Sequence, residues 1–398
     1  MSTSTGPLAG VRILDLSIAA TGPYAVTLLA DQGADVIKVE RPGIGDIGRW
    51  VGVSVNGMSA LFLMCNRGKR SISVDVHTDQ GRDIVRRLAR DVDVVVQNYR
   101  PGVVERLGVG YDDLRAENPD LIYASLSGFG PEGPYASKGA YDTVIQAYGG
   151  FAANQADPVD GEPQFLRQTA ADKVTALYAS QAITAALLAR ERGAGGQHVR
   201  LAMLDAVVSF LWVDAAGNEV LMMADGSQPS SFVSTFRPLR FTVGWGIATP
   251  TSDADFAGLC KAFSVNGYDD PQVATITERT KNREMTNALV ERCYDAAATM
   301  TTADAMARLE AERVPCGLVI RPEELPADPH VEAIGLLVES DHPTVGAVRQ
   351  PRHPTQFEVT PAHHGIPAPD LGQHTDEVLR EIGLADQIDA LRADGVVT

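Results

Sequence analysis

The sequence lacks closely spaced cysteines, long apolar runs and an excess of positive charge. Its four cysteines, Cys65, Cys260, Cys293 and Cys316, lie far apart with no CxxC spacing. That excludes a zinc knuckle or a disulfide framework and fits a reducing compartment. The stretch most like a membrane span, about 176–189, is broken by Tyr178, Ser180, Gln181 and Thr184. It falls short of the ~20 residues a bilayer requires. MSTSTGPLAG at the start has neither a basic nor an apolar segment, so no secretory signal is expected. The expected protein is cytoplasmic and makes no membrane contact. At 398 residues, with 44% apolar and 21% charged residues, it is globular and long enough for more than one domain.

Catalytic signatures are also missing. No H-E-x-x-H, G-x-S-x-G or G-x-x-x-x-G-K-[ST] occurs, and six of the eight histidines fall after residue 329. A metal hydrolase, an α/β-hydrolase and a P-loop enzyme therefore lack their chemistry, and no metal site is expected. Gly43-Ile44-Gly45-Asp46-Ile47-Gly48 matches G-x-G-x-x-G. A dinucleotide fingerprint, however, follows the first strand and opens an apolar helix. This one follows the second strand, and Asp46 would meet a pyrophosphate with the wrong sign. A flexible loop is the expectation there.

The net charge of −17 argues against nucleic acid as a partner. It is unevenly spread. Residues 1–110 carry 13 Lys and Arg against 11 Asp and Glu, whereas the other 288 carry 21 against 40. The N-terminal third could still hold a small anionic ligand.

Periodicity there alternates between strand and helix. Runs 11–16, 35–40, 71–76, 93–97 and 121–126 read as strands. Between them, 23–32 reads as a helix with Pro23 in its first turn and Gly33 as its stop. Thr78 caps a basic amphipathic helix over 79–89. This pattern predicts βαβ units and a parallel sheet with helices on its faces. Helices are expected over 143–151 and 170–190, a strand over 198–201, and one long apolar helix over 204–223. Composition changes after Asp225, where a smaller domain with helices over 254–263, 283–297 and 303–312 is expected. Prolines punctuate the return, and helices over 375–382 and 386–392 are expected to cap the first domain. The expected division is 1–225, 226–325 and 326–398, with the last segment completing the large domain.

Basic residues gather near the strand ends: Lys38 and Arg41, then Arg67, Lys69 and Arg70, then Arg100 and Arg106. Ligands of open α/β sheets bind beyond the carboxyl ends of strands. The clusters together point to an anion site, although each residue alone also fits a solvated surface charge. Asp172 opens the helix over 170–190, where an Asp also simply complements the helix dipole.

LAGVRILDLS, GPYAVTLLADQGADVIKVERPGIGD, NRGKRSISVDV, NYRPGVVERLG, SGFGPEGPYASKGAYD and TAADKVTALYASQAITAALL follow one another in fixed order. In this the chain resembles the family III CoA-transferases, the family of formyl-CoA transferase and carnitine CoA-transferase, which also includes the α-methylacyl-CoA racemases. The resemblance covers nearly the whole chain and is weakest over about 225–245.

The resemblance implies an α/β fold. A large Rossmann-like domain is built from both chain ends, a smaller α/β domain lies between them, and two subunits form an interlaced homodimer. It implies a transferase that moves CoA from an acyl-CoA to a carboxylic acid, with both as substrates and no tightly bound cofactor. Asp172 would be the aspartyl nucleophile, passing through mixed anhydrides and an aspartyl–CoA thioester. Lys38, Arg41, Asn66, Lys69, Arg70, Asn98, Tyr99, Arg106, Lys138, Tyr141 and Asp142 would hold coenzyme A. Ile18, Ala19, Ala20 and Gly22 would form the active-site turn.

Most transferases carry a basic residue, His or Gln in this turn, whereas here it reads Ile18-Ala19-Ala20-Thr21. The apolar turn predicts an acyl group bulkier or less polar than formyl or oxalyl. The alternatives are a racemase or epimerase and a non-catalytic CoA-binding homologue. A racemase would place a His base where Tyr141 stands, and a tyrosine of ordinary pKa, about 10, is a poor base. The second alternative has only the altered turn in its favour.

Overall fold

Strand runs rich in Val and Ile, each followed by a helix, assemble into a six-stranded sheet that is parallel throughout. The computed structural model describes residues 5–157, 159–223, 226, 231, 233, 236–363 and 366–398. The strands are β1 (Arg12–Asp15), β2 (Asp35–Glu40), β3 (Lys69–Ser73), β4 (Val94–Gln97), β5 (Ile122–Ser127) and β6 (His198–Ala202). Their order across the sheet is β3-β2-β1-β4-β5-β6. The strand order reverses between β1 and β4, so the chain leaving these two neighbours runs to opposite faces and opens a crevice.

Alternate side chains of each strand face opposite ways. Ile13, Val36, Val94, Val96, Ile122 and Ala124 pack with helices α1 (Thr21–Asp31) and Ala170–Ala189. Leu14, Ile37, Ile72, Val95 and Tyr123 pack with Asp79–Arg90 and with the C-terminal helices Thr375–Glu381 and Ile388–Ala393. Both faces are covered, which is why the strands read as nearly continuous apolar runs. Other helices of this part include α2 (Ala60–Asn66), α3 (Asp79–Arg90), α4 (Asp142–Tyr148), α5 (Ala170–Ala189) and α6 (Met203–Leu211). Thr78 caps α3, its Oγ1 accepting from Gly81 N at 3.0 Å.

The chain packs as two compact units, Met1–Val213 with Glu332–Thr398, and Asp214–Val331. The expected small domain 226–325 lies inside the second unit. That unit holds an antiparallel sheet of Leu239–Arg240, Trp245–Ala248 and Cys316–Leu318. The helices Asp253–Ala262, Arg283–Ala298 and Thr302–Ala311 pack around Phe256, Leu259, Cys260, Cys293 and Leu309. All four cysteines are free. Among the described residues, no helix is long and apolar enough to cross a membrane.

Three segments differ from expectation. The long helix expected over 204–223 ends at Leu211, and a short turn of helix follows at Gly217–Val220. Met203, Ala206 and Val207 are buried, whereas Phe210, Trp212 and Val213 are exposed, so among the described residues the packing that supports the helix does not continue past Leu211. The proline-punctuated return holds a two-stranded hairpin, Leu337–His342 with Gly346–Pro351. Its strands are largely exposed and lack apolar alternation, so periodicity hid them. The glycine loop 43–48, expected to be flexible, is tied down around the buried Asp46.

Candidate active site

The crevice between β1 and β4 is closed by one asparagine. Asn98, just after β4, accepts from Ile18 N and donates to Ile18 O, both at 2.8 Å. This pair of hydrogen bonds fixes the turn that leads from β1 into α1. Within the turn Ala19 is left-handed, with φ of 66°. An alanine there is strained, and its N–H is held at 2.7 Å by Asp46 Oδ1, which also accepts from Gly48 N. At Gly22 a Cβ would stand 2.3 Å from that of Ser17, so only glycine fits.

A buried network lies beneath the turn. Lys38 Nζ donates to Ser17 O at 2.8 Å and pairs with Asp46 at 2.8 Å. Lys69 Nζ donates to Pro23 O and to Asp15, both at 2.8 Å, and to Asn66 Oδ1 at 3.0 Å. The two lysines therefore grip carbonyls on either side of the turn. Burial opposes the charge of Asp15, but Lys69 and Lys38 hold its pKa below the usual carboxylate value. Burial lowers Lys69 to about 8, with Asp15 pulling the other way.

Above the turn is Asp172, in the first turn of α5. Thr21 Oγ1 donates to its Oδ1. Its backbone N donates to Asp142 Oδ1 at 3.0 Å. Burial raises the Asp172 pKa to about 6; Thr21 counters this, Asp142 adds to it, and Lys173 counters it.

Asp172 lines a cavity of about 500 Å³, together with Ile18, Ala19, Ala20, Thr21, Asn98, Tyr99, Arg100, Lys138, Tyr141 and Met203. Lys138 stands 3.7 Å from the ring centroid of Tyr135 and donates to Tyr148 Oη at 2.9 Å. A second cavity, of about 360 Å³, shares Ile18, Ile47 and Tyr99 with the first and adds Arg41, Val74, His77 and Leu107. Cations and apolar walls thus adjoin a carboxylate of raised pKa, an arrangement suited to an anionic ligand and nucleophilic chemistry.

The structure sorts the expected residues. Arg41, Asn98, Tyr99, Lys138, Tyr141 and Asp172 line the cavities with Ile18, Ala19 and Ala20. Lys38, Asn66, Lys69 and Gly22 lie beneath, shaping the turn. Arg70 turns away to Asp35, Glu377 and Glu381. Arg106 lines neither cavity; its guanidinium lies beside Gly102. Asp142 is buried and supports Asp172 from behind. Thr21 and Asp46 were not among the expected site residues. The signal for Thr21 was its place directly before Gly22-Pro23; for Asp46 it was an acid in the glycine loop that follows the strand carrying Lys38. Among the described residues, no group of His, Cys, Asp and Glu could hold a metal ion.

The sequence pattern of CoA-transferase family III matches residues 8–375. The chain is 34% identical over 390 residues to the succinate–glutarate CoA-transferase of Agrobacterium fabrum, which covers 94% of this chain and 96% of that protein. It is 33% identical over 411 residues to a formyl-CoA:oxalate CoA-transferase of Rhodopseudomonas palustris, covering 95% and 94%. A CAIB/BAIF family protein from Brucella suis has the same fold, with a TM-score of 0.80 at 34% identity over 95% of this chain and 100% of that one. The parallel sheet, the carboxylate at its switch point and these end-to-end matches agree: the chain belongs to CoA-transferase family III.

Proposed function

We propose that the protein transfers CoA from an acyl-CoA thioester to a free carboxylic acid through covalent intermediates on Asp172. The observation that carries this reading is the cavity-lining carboxylate itself, with Oδ1 bonded to Thr21 and no hydrogen-bond partner for Oδ2 among the described residues. Oδ2 attacks the acyl carbonyl, the C–S bond breaks, and CoA thiolate leaves an acyl–aspartyl anhydride. The thiolate attacks Cγ of Asp172, expelling the donor acid and leaving an aspartyl–CoA thioester. The acceptor carboxylate then attacks Cγ and expels the thiolate, which takes the new acyl group and frees Asp172. No net proton is consumed. A serine would form a lower-energy ester that could not accept CoA back.

The two adjoining cavities suit an extended ligand such as CoA, with Arg41, Arg100 and Lys138 available to its phosphates. Tyr99 borders both cavities. Lys38, Asn66, Lys69 and Arg70 support this surface from inside. The apolar turn 18–20 favours an acyl group larger than formyl. Two such subunits form an interlaced homodimer in the cytoplasm, in keeping with the exposed Leu177, Leu188, Phe210 and Val213.

The test uses succinyl-CoA and formyl-CoA as donors against glutarate, succinate and oxalate. Intact-mass analysis after mixing with donor, and hydroxylamine quenching, look for modification at residue 172. The expected result is an adduct in the wild type and a loss of turnover on the order of 10⁴-fold or more in Asp172→Ala. Turnover that survives in that variant refutes the mechanism.

A further inference from the structure

We propose that Thr21 is a catalytic residue: its hydroxyl is the hydrogen-bond donor to the aspartyl oxygen that becomes negative in each tetrahedral step at Cγ of Asp172. This rests on the reading of Asp172 as the nucleophile.

The geometry begins at the turn. Of residues 18–21, only Thr21 has a polar side chain. It is 4% exposed, at the first position of α1. Its Oγ1 meets Asp172 Oδ1 on one side and lies 4.0 Å from Met203 Sδ on the other. An ionised carboxylate can only accept, so the hydroxyl proton points at Oδ1. The bond divides the labour of the two oxygens: Oδ1 is held, and Oδ2 is the attacking atom.

In the first step Oδ2 forms the anhydride and Oδ1 becomes the aspartyl carbonyl oxygen. When the thiolate adds to Cγ, the C=O electron pair moves onto Oδ1. The hydroxyl already aimed at Oδ1 strengthens its bond as this charge develops, which is the condition for catalysis rather than mere binding. The pair returns to re-form C=O as the donor carboxylate leaves. The same sequence recurs when the acceptor acid displaces the thiolate. Thr21 keeps its proton throughout.

A second consequence concerns the resting enzyme. Burial and Asp142 favour protonated Asp172, while Thr21 and the exposed Lys173 favour the charged form. The Cys65 thiol is a further neighbouring titratable group, with its pKa pushed by burial to about 11. Removing the hydroxyl leaves Lys173 alone to oppose burial, so less nucleophile is ionised at a given pH.

The decisive variants are Thr21→Val, which keeps the shape and loses the donor, and Thr21→Ser, which keeps the donor. They are assayed in the full-length protein with the fastest donor–acceptor pair of the panel above. Thr21→Val is expected to lose kcat by about 10²-fold, with KM for acyl-CoA changed less than about threefold. Its acidic limb of kcat should move to higher pH. Thr21→Ser should recover kcat to within about fivefold of the wild type. Rapid-quench mass analysis should find slower formation of the residue-172 CoA adduct in Thr21→Val. A Thr21→Val enzyme with kcat within about threefold of the wild type overturns the proposal. So does a Thr21→Ser enzyme as slow as Thr21→Val, because the residue then acts through packing. Both outcomes leave an adduct at Asp172 intact, whereas an active Asp172→Ala enzyme overturns the nucleophile reading itself.

Discussion

Asp15 and Asp172 stand at the two ends of the same turn, and each is bonded to a hydroxyl residue of it. Asp15 accepts from Ser17 N at 2.9 Å and faces two lysines; Asp172 accepts from Thr21 and faces Asp142. Their pKa values move in opposite directions. Asp15 is held below the ordinary value, and Asp172 is raised to about 6. The carboxylate below the turn is neutralised and fixed, which suits a support. The carboxylate above it is left short of positive charge, which suits a reactive group.

The largest expected effect tests the support. Asp15→Ala leaves Lys69 buried without its acid partner and should cost roughly 3–5 kcal/mol in denaturant unfolding. Asp172→Ala should stay within about 1 kcal/mol of the wild type in the same experiment. A reversed ranking would break the contrast.

Next come the cations. Arg41→Ala should raise KM for acyl-CoA about 10-fold, roughly 1.4 kcal/mol of binding, without lowering Tm. Lys38→Met, beneath the turn, should lower Tm because Asp46 loses its buried partner. If both variants weaken binding alone, the division between lining and supporting cations fails.

The smallest effect is in pH dependence. Folded Asp172 holds its proton more tightly than an unfolded aspartate, so its ionisation costs stability as pH rises from ~3.9 to about 6. Asp172→Asn has no such proton. Its stability relative to the wild type should therefore improve across that window, by on the order of 1 kcal/mol. The Asp15 contribution has the opposite sign: it is complete above the ordinary carboxylate pKa and disappears as pH falls through its depressed folded value. Unfolding curves at pH 4 and pH 7 for the wild type and Asp172→Asn check this. An Asp172→Asn stability that falls relative to the wild type as pH rises would contradict the raised pKa.

Much of the fold was legible. Val- and Ile-rich runs separated by helical periods required a covered parallel sheet, because such strands are stable only when both faces are buried. Asp35–Glu40 and α3 lie where periodicity and the Thr78 cap placed them. The hairpin after Leu337 was illegible because exposed strands carry no apolar alternation. The end of α6 at Leu211 was illegible because an apolar run does not reveal which of its residues find a partner surface.

The site divides in the same way. By itself the sequence determined which elements end near the crevice, the resemblance to a transferase family and the expectation placed on Asp172. It placed Lys38, Lys69 and Arg70 alongside Arg41 because adjacent strand-end cations look alike in one dimension. Only the tertiary structure decided which of them turn inward. Strand alternation and neighbouring acids set that direction: Lys38 and Lys69 meet Asp15 and Asp46 inside, Arg70 meets a distant helix, and Arg41 borders a cavity. The pairing of Thr21 with Asp172, 151 positions apart, likewise exists only where the starts of α1 and α5 meet.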